Sequence, residues 1–119
     1  MLNLDTHILI HAVEGNLKPG EEDLLARHQW GISGIVLWEI AKLVQKKKIE
    51  FDLEDFNFLR TLSRTHIWPI DLEVCRKLRD LDFKSDPADE IIAATSIVQR
   101  VPLLTRDKKI LKSKIVPFA

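Results

Sequence analysis

Two short apolar runs near opposite ends of the chain each lead into an acid and then into helical sequence, and this pattern constrains the fold more than any other feature. Leu2, Asn3 and Leu4 run into Asp5 and Thr6, while residues 101–105 run into Arg106 and Asp107. Apolar runs without strict alternation describe strands covered on both faces, as in a parallel sheet between helical layers. The remaining periodicity agrees: strands are predicted at 2–4, 30–33, 66–70, 101–105 and 115–118. Helical stretches alternate with them at 8–14, 21–28, 35–47, 72–81, 87 to about 100, and 107–112, with an amphipathic stretch at 53–64. Pro87 suits the first position of the longest of these, and Gly15 and Asn16 stop the first. The stretch 35–47 is apolar on nearly every side before Lys46, Lys47 and Lys48, so it is expected to be buried for most of its length. The expected class is α/β, a three-layer α/β/α sandwich with a central parallel sheet.

A chain of 119 residues, 45% hydrophobic, is long enough for one core, so residues 1–119 are expected to form a single domain. Eighteen Lys and Arg balance eighteen Asp and Glu, so binding to a polyanion would need a local basic patch. Cys75 stands alone and cannot form an internal disulfide. No apolar stretch has the length of a membrane span, which places the expected protein in solution in the cytoplasm.

Ligands of open α/β folds sit beyond the carboxyl ends of the strands, so acids just after strands carry the most information. Asp5 and Asp107 are both there, although each also stands where an N-cap would accept from free helix amides. Glu39 lies between Ile35 and Leu43 on one helix face, where an ionised acid needs a partner; Lys42 is one candidate and a metal ion another. Asp86 and Asp89 fall in Asp86-Pro87-Ala88-Asp89-Glu90, which resembles a loose capping box. Asp89 shares its face with Ile92, Ala93 and Ser96, so its side chain is expected to point toward packed structure. Converging carboxylates repel one another, and a hard divalent cation such as Mg²⁺ or Mn²⁺ relieves that repulsion with oxygen ligands. Such a site is suited to hydrolysing phosphodiesters.

Four stretches carry a resemblance: Leu4-Asp5-Thr6-His7; Ser33 through Glu39 and Ile40; Asp86-Pro87-Ala88-Asp89 through Ile92-Ala93-Ala94; and Leu103-Leu104-Thr105-Arg106-Asp107. In this order they resemble the PIN-domain family, and within it the VapC-type toxins of toxin–antitoxin pairs. The resemblance implies a PIN-like α/β/α sandwich, Mg²⁺- or Mn²⁺-dependent endoribonuclease activity, frequent homodimers and inhibition by a small cognate antitoxin. By motif position it makes Asp5, Glu39, Asp89 and Asp107 the catalytic acids, with Asp5 and Asp89 as metal ligands and Asp107 in support. Thr6 and Thr105 match hydroxyl positions that orient a carboxylate or a water, and Asp86 matches an accessory that fixes the helix start. Many relatives carry arginine where this chain has Glu90, which leaves an extra negative charge near the site and puts a phosphate contact there in doubt.

Other residues admit plainer readings. His7 and His11 are four apart on one helix, but no cysteine or third histidine completes a zinc site, and His7 is expected beside Asp5. Cys75, Trp30, Trp38 and Trp68 are expected in the core or, for the tryptophans, at a dimer contact. Lys46, Lys47 and Lys48 suit a helix C-terminus. Of Arg106, Lys108, Lys109 and Lys112, which follow the last acidic motif, Arg106 and Lys109 are the candidates for RNA phosphate contacts. Two alternatives stay open: a PIN-like protein without catalysis that only binds or regulates, and a nuclease acting on DNA, which would differ in its response to the 2′-hydroxyl.

Overall fold

A computed structural model describes residues 1–119. The chain begins with strand β1 (Leu2–Leu4) and helix α1 (Thr6–Glu14), then α2 (Pro19–Arg27), β2 (Trp30–Ser33) and α3 (Gly34–Gln45). It continues through α4 (Phe56–Ser63), β3 (His66–Trp68), α5 (Leu72–Lys77) with a 3-10 turn at Leu78–Asp80, α6 (Pro87–Gln99), β4 (Leu103–Leu104) and α7 (Lys108–Leu111). The four strands form one parallel sheet in the order β3-β2-β1-β4, flanked by helices. The chain therefore builds outward from β1 on one side, then crosses over to lay β4 on the other. That reversal puts the switch point of the sheet at the carboxyl ends of β1 and β4, where Leu4 pairs with Leu104.

Leu2, Leu4, Ile8, Ile32 and Leu103 are fully buried, and each contributes about 1.5–3 kcal/mol by leaving water. This core fixes the strand ends that carry the acids. Asn3 is the exception inside β1. Its side chain is fully buried and its Nδ2 donates to the Ile92 carbonyl at 3.1 Å and to Ser96 Oγ at 2.9 Å. A polar residue in a buried strand thus ties α6 to β1. Gly31 is needed where β2 meets β3, because a Cβ there would lie 2.4 Å from the Trp68 indole that packs over it.

Several expectations are corrected. Helix α3 buries only Val36 and Ile40; Trp38 is 55% exposed, so the helix is one-sided and its apolar count overstated its burial. Strand β3 stops at Trp68, since Pro69 has no amide donor for a ladder. The strand expected at 115–118 is reduced to a parallel bridge between Phe118 and Leu103, supported by the bonds of Leu103 N–H to Pro117 and Ala119 N–H to Leu103. Helix α5 tightens into the 3-10 turn before residue 81. Cys75 is exposed on α5, outside the core. Trp68 is buried, and Trp30 is half-buried. No helix is long and apolar enough to cross a membrane.

Candidate active site

At the switch point, backbone and hydroxyl donors hold one carboxylate in place. Asp5 ends β1 and caps α1: its Oδ1 accepts from the Thr6 amide at 2.8 Å and its Oδ2 from the Thr105 hydroxyl at 2.6 Å. The cap and the site are therefore the same side chain. Thr105 in turn accepts from the Asp107 amide at 3.0 Å, so one threonine hydroxyl joins the end of β4 to the end of β1. Asp107 caps α7, its Oδ1 accepting from the amides of Lys109 at 2.8 Å and Ile110 at 3.1 Å. Its Oδ2 is left without a hydrogen bond within the protein.

Glu39 and Asp89 come from the flanking helices. The Thr6 hydroxyl donates to Glu39 Oε1, which links α1 to α3. Lys42 takes no part: its ammonium lies 3.5 Å from Gln45 Oε1 and 5.8 Å from the centre of the Trp38 ring. A lysine at i+3 was within reach of Glu39, but the flexible stem turns to the exposed indole. On α6, Asp89 Oδ2 accepts from the Ser85 hydroxyl at 2.9 Å. Glu39 Oε2 and Asp89 Oδ1 are unbonded in the same way as Asp107 Oδ2.

The electrostatics show that these acids share one region. Burial pushes the Asp5, Glu39 and Asp89 carboxyls above their ordinary values, opposed by the hydroxyl bonds of Thr105, Thr6 and Ser85 respectively. Neighbouring acids push in the same direction: Asp107 on Asp5, Asp5 and Asp89 on Glu39, and Asp5, Asp107 and Asp86 on Asp89. No lysine or arginine forms an ion pair with any of the four; the ion pairs present are Lys77–Asp80 and Arg106–Glu21. His7, which is exposed, acts in the opposite direction and favours the charged forms of Asp5 and Glu39.

A divalent cation fits this donor set. The acids offer oxygen donors only, three of them free of protein hydrogen bonds, and no ion-paired lysine or arginine offsets their repulsion. No three His, Cys, Asp or Glu side chains converge into an all-protein cage.

The other expected residues fall as follows. Asp86 stands at the N-cap of α6, but its side chain makes no capping bond. Pro87 sets the helical dihedral, and Glu90 Oε2 accepts from the Ser85 amide at 3.0 Å, so the expected capping box of Asp86 and Asp89 is replaced by Ser85 with Asp89 and Glu90. Arg106 grips Glu21, Nε to Oε2 at 2.8 Å and Nη2 to Oε1 at 2.6 Å. Its guanidinium is thus engaged far from any role as a loose cation, whereas Lys109 is exposed. Ser85, Asn3 and Glu21 were not singled out from the sequence. Asn3 had a signal, a carboxamide between two leucines of a buried strand; Ser85 and Glu21 had none beyond their residue type.

Comparison with known proteins places the fold in a family. Residues 3–114 match the PIN domain, and the chain belongs to the PIN-domain family. Among solved structures it is similar to VapBC2 from Rickettsia felis bound to a DNA fragment from its promoter (TM-score 0.73, 21% identity, covering 100% of this chain and 98% of that one). It is also similar to a toxin–antitoxin complex from Klebsiella pneumoniae (TM-score 0.71, 24% identity, 100% and 97% covered). FitAcB from Neisseria gonorrhoeae gives a TM-score of 0.68 at 19% identity, with 100% and 97% covered. No curated protein gave a significant match by sequence.

Proposed function

We propose that residues 1–119 form a single metal-dependent endoribonuclease domain, the toxin of a type II toxin–antitoxin pair that acts in the cytoplasm. The observation that carries this reading is the set of Asp5, Glu39, Asp89 and Asp107, which act on one another electrostatically while none is in an ion pair with a lysine or arginine. Asp5 and Asp89 would hold Mg²⁺ or Mn²⁺, with Glu39 and Asp107 completing the acidic surround. When bound, such an ion polarises the phosphodiester and makes a neighbouring water more acidic. The protein's own share is positional: Thr105 fixes Asp5, Thr6 fixes Glu39 and Ser85 fixes Asp89, so each acid meets substrate in a set orientation. Lys109, exposed on α7 two residues after Asp107, would meet an RNA phosphate; Arg106 would first have to release Glu21.

The toxin assignment rests on the family together with structural neighbours described as toxin–antitoxin complexes. A small cognate antitoxin and a second copy of this chain are the partners it implies. The decisive assay is cleavage of a mixed RNA pool, and of matched DNA, by purified protein with Mg²⁺ or Mn²⁺, with EDTA, and with Asp5→Asn or Asp89→Asn. Metal-dependent cutting of RNA alone, lost in both variants while circular dichroism is unchanged, is the expected result. Cutting of DNA alone would replace the substrate class. Absence of cutting by a folded, metal-loaded, antitoxin-free protein would favour a protein that only binds.

A further inference from the structure

The end of the molecule away from the carboxylates has a cleft of about 510 Å³ between the amino end of β2, the end of α1 and the last turns of α4. Trp30 pairs with Leu2, at the start of β1, while Asp5 follows its end, so the cleft and the acids lie at opposite ends of the sheet. Arg60 on α4 and Arg64, the residue that caps its carboxyl end, line it together with His28, Asn57, Thr61 and Trp30. No acidic residue lines it, and neither arginine is in an ion pair. The ring orientations are set from behind: Trp30 Nε1 donates to the Leu25 carbonyl at 2.8 Å, and His28 Nδ1 bonds the Leu24 carbonyl at 2.8 Å, which leaves Nε2 unbonded.

We propose that this cleft binds one phosphorylated nucleotide unit, phosphate on Arg60 and Arg64 and base against Trp30. Its volume is in the range of small-ligand sites, its guanidiniums present forked donors suited to phosphate, and His28, Asn57 and Thr61 add polar contacts for a sugar or base edge. Cations at the end of a helix also complement its dipole, which explains two arginines on α4 but not the acid-free cleft they enclose with an indole. The nucleotide has two possible sources, a free mononucleotide or one residue of an RNA strand. A strand is favoured by a second groove, lined by His7, His11, Lys48 and Asn57, that leads from the neighbourhood of Asp5 to the cleft and shares Val13 and Asn57 with it. Glu14, Glu50 and Asp55 also line that groove, so the uncompensated positive charge is in the cleft itself. The strand source rests on the ribonuclease reading; the free source does not.

The test measures equilibrium binding of AMP and of a fluorescein-labelled ten-nucleotide oligoadenylate, in EDTA so that no strand is cut. Wild type is compared with Arg60→Gln/Arg64→Gln, with the milder Arg64→Gln, and with Arg76→Gln/Arg79→Gln, which removes equal charge elsewhere. Tm checks that each variant is folded. AMP binding by wild type that weakens at least about tenfold in the first double variant, and not in the control, supports the cleft with a free nucleotide as occupant. Oligoadenylate affinity falling by a similar factor, without AMP binding, supports it with a strand as occupant. Equal weakening in both double variants, or no binding of either probe by wild type, overturns it. Because nothing in the readout depends on cleavage, this outcome is separate from whether the acids cut RNA.

Discussion

Glu21 on one side, and Asp5, Glu39 and Asp89 on the other, have been given opposite surroundings. Glu21 is clasped by Arg106 in a two-pronged ion pair, and that partner holds its carboxyl down to about 2. Asp5, Glu39 and Asp89 have hydroxyl and amide donors but no ion-paired lysine or arginine, and burial holds their carboxyls up. An acid that has its counter-charge inside the protein is a brace, here joining α2 to the loop after β4. Acids held close together without one are kept in a costly state that a ligand cation would relieve. The contrast separates an acid neutralised within the protein from acids that are not.

The contrast yields a graded set of expectations. Replacing a member of the uncompensated group should do the most: Asp5→Asn or Asp89→Asn should take RNA cleavage below detection in a gel assay, with the far-ultraviolet dichroism unchanged. Thr105→Val removes the hydroxyl that orients Asp5 and leaves the acids in place, so kcat should fall about 10- to 100-fold, the usual range for a residue that positions a metal ligand. Glu21→Gln acts on the brace instead. It should cost about 1–2 kcal/mol in urea unfolding, with kcat near the wild-type value. A large loss of kcat with no loss of stability in that variant would put Glu21 in the wrong group.

The smallest effect is in the pH dependence of metal-free stability, and the two groups should contribute with opposite sign. Glu21, lowered from 4.5 to about 2, adds stability that is present above pH 4.5 and lost as the pH falls toward 2. The raised carboxyls add stability that is present below their ordinary values, 3.8 for Asp and 4.5 for Glu, and lost as the pH rises through their higher values in the folded protein. Urea midpoints in EDTA across the acid range should therefore fall less steeply with acidification in Glu21→Gln than in wild type. Asp89→Asn should show the converse, a steeper fall.

The parts of this arrangement that depend on local order could be read in the sequence. Asp5 and Asp107 follow strands, and a strand end in a parallel sheet leads to the ligand side, so both acids were legible from position alone. Glu39 was legible as an acid in an apolar neighbourhood, but its bond to Thr6 was not, because that contact spans 33 residues. Arg106 looked like a free cation for the same reason: its partner Glu21 lies 85 residues away. Helix α3 was misjudged because counting apolar residues does not say which face turns inward, and Trp38 turns out. The start of α6, with Asp86 at the N-cap and Pro87 at the first helical position, was legible, but its capping bonds were not, because the residue types of Ser85, Asp86, Asp89 and Glu90 allow more than one pattern. Local chemistry named the acids, and only the packed chain decided which of them had been neutralised.

The most direct test of the contrast is a thermal melt of wild type and Asp89→Asn, each in EDTA and in saturating Mn²⁺. The Asn variant keeps an acceptor for Ser85 and loses one half-buried charge, so it should melt above wild type in EDTA. Mn²⁺ should then raise the Tm of wild type and leave that of the variant nearly unchanged, since only a ligand bound to the folded state stabilises it. Equal responses to Mn²⁺ in the two proteins, or a wild type indifferent to the ion, would contradict the claim that these carboxylates wait for a metal.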